Sequence, residues 1–186
     1  MKNLRVITFS ISMVLLGYVL TAGCSTMTQG VSTPTDVPGV TQNWDKALPT
    51  AQRFVVLAAF NNDAVRDNET GLVWEKAPQT TISTWSAART FCTDKSVGGR
   101  KGWRLPAVHE LASLVDSSIG APGPTLQAGH PFSNVQPTHY WSAVTSADFP
   151  TSAWLVFFGS GDVFTSVKVG SLHAWCVRGG MNTDTY

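Results

Sequence analysis

Between residues 53 and 180 the spacing of apolar positions is mostly that of strands broken by turns. Arg53 to Phe60 is a dense apolar run that predicts a strand. Ala64-Val65-Arg66 and Leu72-Val73-Trp74-Glu75 flank Asp67-Asn68-Glu69-Thr70-Gly71, where Asn and Gly can take the positive φ a hairpin needs. Four more strands are predicted late in the chain, over Tyr140 to Val144, Ala153 to Phe158, Val163 to Val169 and Leu172 to Arg178. Gly159-Ser160-Gly161-Asp162 forms the turn between the middle two. Ala153 to Phe158 is apolar on both faces and belongs at the centre of a sheet. The next strand has Val163, Val167 and Val169 on one face and Ser166 and Lys168 on the other.

The period changes twice between these segments. Trp85, Ala88, Phe91 and Cys92 recur at helical spacing after Ser83 or Thr84 as cap, and Val108, Leu111, Ala112, Leu114 and Val115 mark a second helix after Pro106. The order of strands, two helices, then strands is that of an α+β domain and not of a repeating βαβ unit.

The first fifty residues carry a different pattern. Lys2 and Arg5 precede an apolar stretch, Val6 to Leu20, of signal-peptide length and too short to span a bilayer comfortably. It ends in Leu20-Thr21-Ala22-Gly23-Cys24, which resembles the bacterial lipobox, whose cysteine is acylated and becomes the new N-terminus. The alternative is ordinary signal cleavage at a small-x-small site beside a cysteine. Ser25 follows, so the resemblance to lipoprotein sorting favours the outer membrane of a bacterial cell envelope, with the lipid on Cys24 as the membrane partner. Residues 24–51, rich in Ser, Thr, Pro, Gly and Gln, read as a flexible tether, with Trp44 as a staple onto the domain. The expected organisation is therefore a signal peptide over 1–23, a lipidated tether over 24–51, one domain over 52–180 and a short tail over 181–186.

Composition sharpens this. With 43% hydrophobic and 13% charged residues the chain can bury a substantial core, and a net charge of +1 argues against a nucleic-acid partner. Three cysteines are an odd number. Acylation of Cys24 leaves Cys92 on the first helix and Cys176 in the last strand, and an exported chain is expected to join them as a disulfide; two buried free thiols are the alternative.

Val65-Arg66-Asp67-Asn68-Glu69-Thr70-Gly71-Leu72-Val73-Trp74, Trp85-Ser86-Ala87-Ala88 with Cys92, Gly102-Trp103-Arg104-Leu105-Pro106 with Glu110-Leu111, Tyr140-Trp141-Ser142, and Ala174-Trp175-Cys176-Val177-Arg178-Gly179-Gly180 occur in that order. This series resembles the Lcl C-terminal domain family of bacterial envelope proteins, related to C-type lectin-like and formylglycine-generating-enzyme-like folds. The resemblance implies two helices beside twisted antiparallel sheets, a helix-to-last-strand disulfide, and a relative that is an adhesin for sulfated glycans. Relatives often carry Thr or Ser after the Leu-Pro; here Ala107 stands there, so Glu110 lacks the reciprocal half of a capping box.

Candidate chemistry is sparse. His109-Glu110 opens like a zinc-protease helix, but the second histidine would have to be at Ser113. The calcium motif of sugar-binding C-type lectins is replaced by Tyr140-Trp141-Ser142-Ala143, and formylglycine-type oxidation needs a reactive cysteine pair that the expected disulfide would consume. No enzyme activity, cofactor or metal is expected. Trp74, Trp85, Trp103, Trp141, Trp175 and Trp154 are expected in the core. Binding residues are expected on the loops Ser117 to Pro137 and Thr145 to Ser152, with His130, Asp148 and Phe149 as candidates. Arg89, Lys95, Arg100, Lys101 and Arg104 form the only basic concentration; Arg104 is expected to be used structurally, which leaves Arg100 and Lys101 as candidates. Two functional classes follow: a non-catalytic recognition module for a glycan or envelope protein, adhesion-like, or a structural component of an envelope assembly.

Overall fold

The computed structural model describes residues 48–179. The signal peptide, Cys24, Trp44 and the tail lie outside them. The elements run α1 (Thr50–Arg53), β1 (Phe54–Val56), a 3-10 turn (Ala58–Phe60), β2 (Ala64–Asp67), β3 (Val73–Glu75), α2 (Trp85–Asp94), α3 (Val108–Ala112), β4 (His139–Thr145), β5 (Ser152–Phe157), β6 (Asp162–Val167) and β7 (Val177–Arg178). They form two antiparallel sheets, ordered β1-β2-β3-β7 and β4-β5-β6, so the domain is α+β as expected.

Alternation along the strands feeds two core clusters. Val65, Trp74, Tyr140, Val156 and Val177 enter one, with Trp175, Phe158, Leu111 and Leu114. Their neighbours Ala64, Val73, Trp141, Leu155 and Cys176 enter the other, with Cys92 and Trp103. Both faces of these strands are covered, which is why β3 is buried at every residue. The Cys92–Cys176 disulfide spans a sequence separation of 84 and ties α2 to this inner segment.

The hairpins fall where their turn residues put them. Gly71 takes φ 70° and donates its N–H to the Asp67 carbonyl at 2.8 Å, closing the β2–β3 loop. Gly161 takes φ 86° in the β5–β6 turn, and a Cβ there would meet Val115 at 2.6 Å. β5 is the central strand of its sheet, as its two apolar faces required.

Several expectations are corrected. The Arg53 to Phe60 run is a strand only over Phe54–Val56, because Asn61 and Asn62 turn the chain at φ 54° and 63° after the 3-10 turn that buries Phe60. The run from Leu172 to Arg178 is not one strand. Leu172 pairs with Ser83 and His173 with Tyr140, and then the chain crosses to pair Val177 and Arg178 with β3. Crossing between the sheets buries Ala174, Trp175, Cys176 and Val177 completely and replaces ladder bonds with others, such as the Trp175 indole N–H on the Glu75 carbonyl at 2.8 Å. α3 ends at Ala112, short of Val115, where the Ser113 carbonyl accepts Arg53 Nη2 at 2.8 Å. Trp85 and Trp154 are half-buried and not core. β6 is an exposed edge strand, with Val163, Phe164 and Val167 between 41% and 53% accessible.

Candidate functional site

The motif residues divide sharply by what they touch. Asp67 and Glu69, both fully buried, converge on the buried Arg53: Nη2 lies 3.0 Å from Asp67 Oδ2 and Nε 3.2 Å from Glu69 Oε2. Glu69 Oε1 accepts the Leu48 N–H at 2.7 Å. This ionic knot ties the β2–β3 loop to the start of β1. Sequence reasoning missed it, although a lone arginine heading an apolar run was a signal. Arg104 is held by Glu110 at 2.6 and 2.7 Å and by the Gly179 carbonyl at 2.8 Å, the structural use expected of it. Trp103 and Trp141 donate their indole N–H groups to the carbonyls of Arg100 and Ser83. All of these side chains hold the scaffold.

Trp85, at the first turn of α2, is different. Its indole N–H is fixed on the Ser142 carbonyl at 2.8 Å, while Arg89 Cζ lies 4.7 Å and Lys168 Nζ 4.4 Å from its ring. Two cations thus load one half-exposed indole, and neither takes part in an ion pair among the described residues. Lys168 is positioned by its backbone, whose carbonyl accepts the Trp85 N–H, and by its ammonium, which donates to the Pro150 carbonyl at 2.8 Å. That contact links the hairpin tip carrying Asp148 and Phe149 to the Trp85 end of the helix; Phe149 is 64% exposed.

Further along α2 the spacing of four residues repeats the device, with Lys95 Nζ 4.3 Å from the Phe91 ring. At this second pair lies a groove of about 630 Å³, lined by Ser86, Ala87, Thr90, Phe91, Asp94 and Lys95. Lys101 donates to the Asp94 carbonyl at 2.8 Å and places a further cation at the helix C-terminus. The surface therefore combines aromatic faces, hydroxyls and cations along one helix. Lys95 also pairs with Glu75, whose carboxyl burial pushes above its ordinary range against the opposing pull of Lys95.

Of the candidates chosen from sequence, Lys101 lies at one end of α2, and Asp148 and Phe149 lie on the tip joined to the other. Arg100 points elsewhere, its Nε on the Ala59 carbonyl and its guanidinium over Phe60. His130 packs on Phe132 with ring centroids 5.9 Å apart, and burial, partly offset by the Phe132 backbone, holds its imidazole below the usual histidine range. Among the described residues its ring contact is with Phe132, away from α2.

The model of the Lcl C-terminal domain matches residues 63–178. The chain belongs to the Lcl C-terminal domain family. A search of curated proteins finds no match. In this Lcl C-terminal domain many motif positions are consumed by packing, the disulfide and the ionic contacts, while Trp85 is half-exposed and Ser86 and Ala87 are exposed. Among the described residues no helix is long and apolar enough to cross a membrane.

Proposed function

We propose that this Lcl C-terminal domain is a non-catalytic recognition module, carried on a lipoprotein of the bacterial envelope, that binds a glycan or a protein at the cell surface through the exposed flank of α2. The observation that carries the reading is the half-exposed Trp85 ring loaded by Arg89 and Lys168. An indole face suits the apolar face of a sugar ring or a side chain, and the adjacent cations suit an acidic group on the same ligand. The bonded state of Cys92 and Cys176 supports the non-catalytic reading, since it consumes the thiols that formylglycine-type oxidation would use.

A glycan array probed with the full chain tests this. The expected result is saturable binding that weakens as salt is raised and is lost in Trp85→Ala and in Arg89→Ala plus Lys101→Ala, each with an unchanged far-ultraviolet spectrum. Absence of glycan binding together with a stoichiometric envelope protein that still co-purifies with the Arg89→Ala, Lys101→Ala variant would instead establish the structural-component reading. Mass spectrometry of the native protein tests the anchor: a mature chain with unacylated Cys24 would refute it.

A further inference from the structure

We infer that the free edge of β6 pairs antiparallel with β6 of a second copy of this chain, about a two-fold axis at Thr165, joining two three-stranded sheets into one of six strands.

Among the described residues β6 pairs with β5 on one side only. The Lys168 N–H donates to the Thr151 carbonyl at 2.9 Å, in line with the Ser152–Val167 register. Backbone direction alternates along a strand, so residues 162, 164 and 166 also turn their N–H and C=O groups toward β5, and Val163, Thr165 and Val167 turn theirs outward. Long edges of this kind are usually blunted by charge, proline or a bulge. Here the segment from Val163 to Val167 carries no charge and no proline, and Val163 and Val167 are 41% and 53% exposed.

The strand is complementary to itself. With Thr165 opposite Thr165, Val163 meets Val167, Phe164 meets Ser166, and Asp162 meets Lys168. Every outward-facing residue then faces another outward-facing residue, which is the parity a hydrogen-bonded antiparallel rung requires. The two exposed valines cover each other, and the two charges that bracket the strand fall opposite partners of the other sign. A parallel arrangement in register would set Asp162 against Asp162 and Lys168 against Lys168. The Val167 carbonyl already accepts the Gly170 N–H at 2.9 Å and keeps a second lone pair for the rung. The Lys168 ammonium can stay on Pro150, because opposite charges on a rung attract without direct contact. An isologous pairing of this kind closes on itself and leaves no further edge on β6.

Single cysteines read the register in the full chain, with the unmodified chain setting the background from Cys24. A hydrogen-bonded antiparallel rung holds its Cα atoms about 5.5 Å apart, within disulfide reach. Under mild oxidation Thr165→Cys should form a covalent dimer at least about tenfold faster than Val163→Cys or Val167→Cys alone, and an equal mixture of those two should cross-link like Thr165→Cys. Thr165→Pro, which removes an outward N–H, should lower the dimer fraction in sedimentation equilibrium while the monomer keeps its thermal transition. Equal rates for the three single variants, or a wild-type chain that sediments as a monomer throughout, would overturn the pairing, whether the edge then binds another protein or nothing.

Discussion

Lys168 grips Trp85 twice: its carbonyl accepts the Trp85 N–H at 3.1 Å, and its ammonium sits 4.4 Å from the indole ring. The backbone bond joins the start of α2 to the end of β6, and the cation fixes the ring that the helix presents. A shape-preserving Lys168→Met keeps the backbone bond and removes the charge together with the ammonium's hydrogen bond to the Pro150 carbonyl. It should cost about 0.5–1 kcal/mol of stability, the scale of a half-exposed cation–π contact, and should weaken binding of an acidic ligand at low salt more than at high salt. Denaturant unfolding and a salt titration of binding check the two halves.

Arg53 stands between Asp67 and Glu69 with all three buried. Arg53→Leu would leave two carboxylates without their counter-ion and is expected to cost about 3–5 kcal/mol, whereas replacing only an exposed cation such as Arg66 should change stability by less than about 0.5 kcal/mol. Arg53→Lys should recover only part of the loss, since an ammonium cannot reach both carboxylates and the Ser113 carbonyl with the geometry of a guanidinium. Equal stability of the Leu variant and wild type in urea would refute the role given to the knot.

Glu110 accepts the Ala107 N–H at 2.7 Å, one half of a capping box, and Ala107 has no side-chain oxygen for the other half. The extended Ala107 backbone, φ −64° and ψ 159°, already suits a capping residue. Ala107→Thr should therefore stabilise the domain by about 1 kcal/mol and raise the melting temperature by a few degrees. Calorimetry showing no rise would mean that the start of α3 is already saturated by other contacts.

Burial raises the Glu75 carboxyl from its ordinary value of 4.5. A raised carboxyl binds its proton more tightly when folded, so its contribution to stability is greatest with the proton on and is lost as pH rises through the shifted value. Glu75→Gln removes this dependence. The variant should gain stability relative to wild type as pH rises above 4.5. A relative loss over the same range in paired urea titrations would show that the ion pair with Lys95 outweighs the burial cost.

Local turn chemistry and periodicity were sufficient for the hairpins at Asp67 to Gly71 and Gly159 to Asp162, for α2, for β5 as a central strand and for the α+β class, because each depends on residues close together in the chain. The pairing of Cys92 with Cys176 was expected for a different reason: reading Cys24 as the lipidated residue of an exported chain left two cysteines to join, and the two are bonded. The tertiary structure decided what those elements cannot specify alone. Whether Leu172 to Arg178 stays with one sheet depends on the gap it crosses. Whether Trp85 and Trp154 are covered depends on what the fold brings over them, and the local apolar pattern of helix or strand gives buried and half-exposed tryptophans the same signature. Arg89, Lys95, Arg100, Lys101 and Arg104 read as one basic run, but the fold turns Arg104 onto Glu110 and Arg100 over Phe60, while Lys168, distant in sequence, joins Arg89 on Trp85. Charge at a surface is set by which long-range partners neutralise it, and that information exists only once the chain has folded.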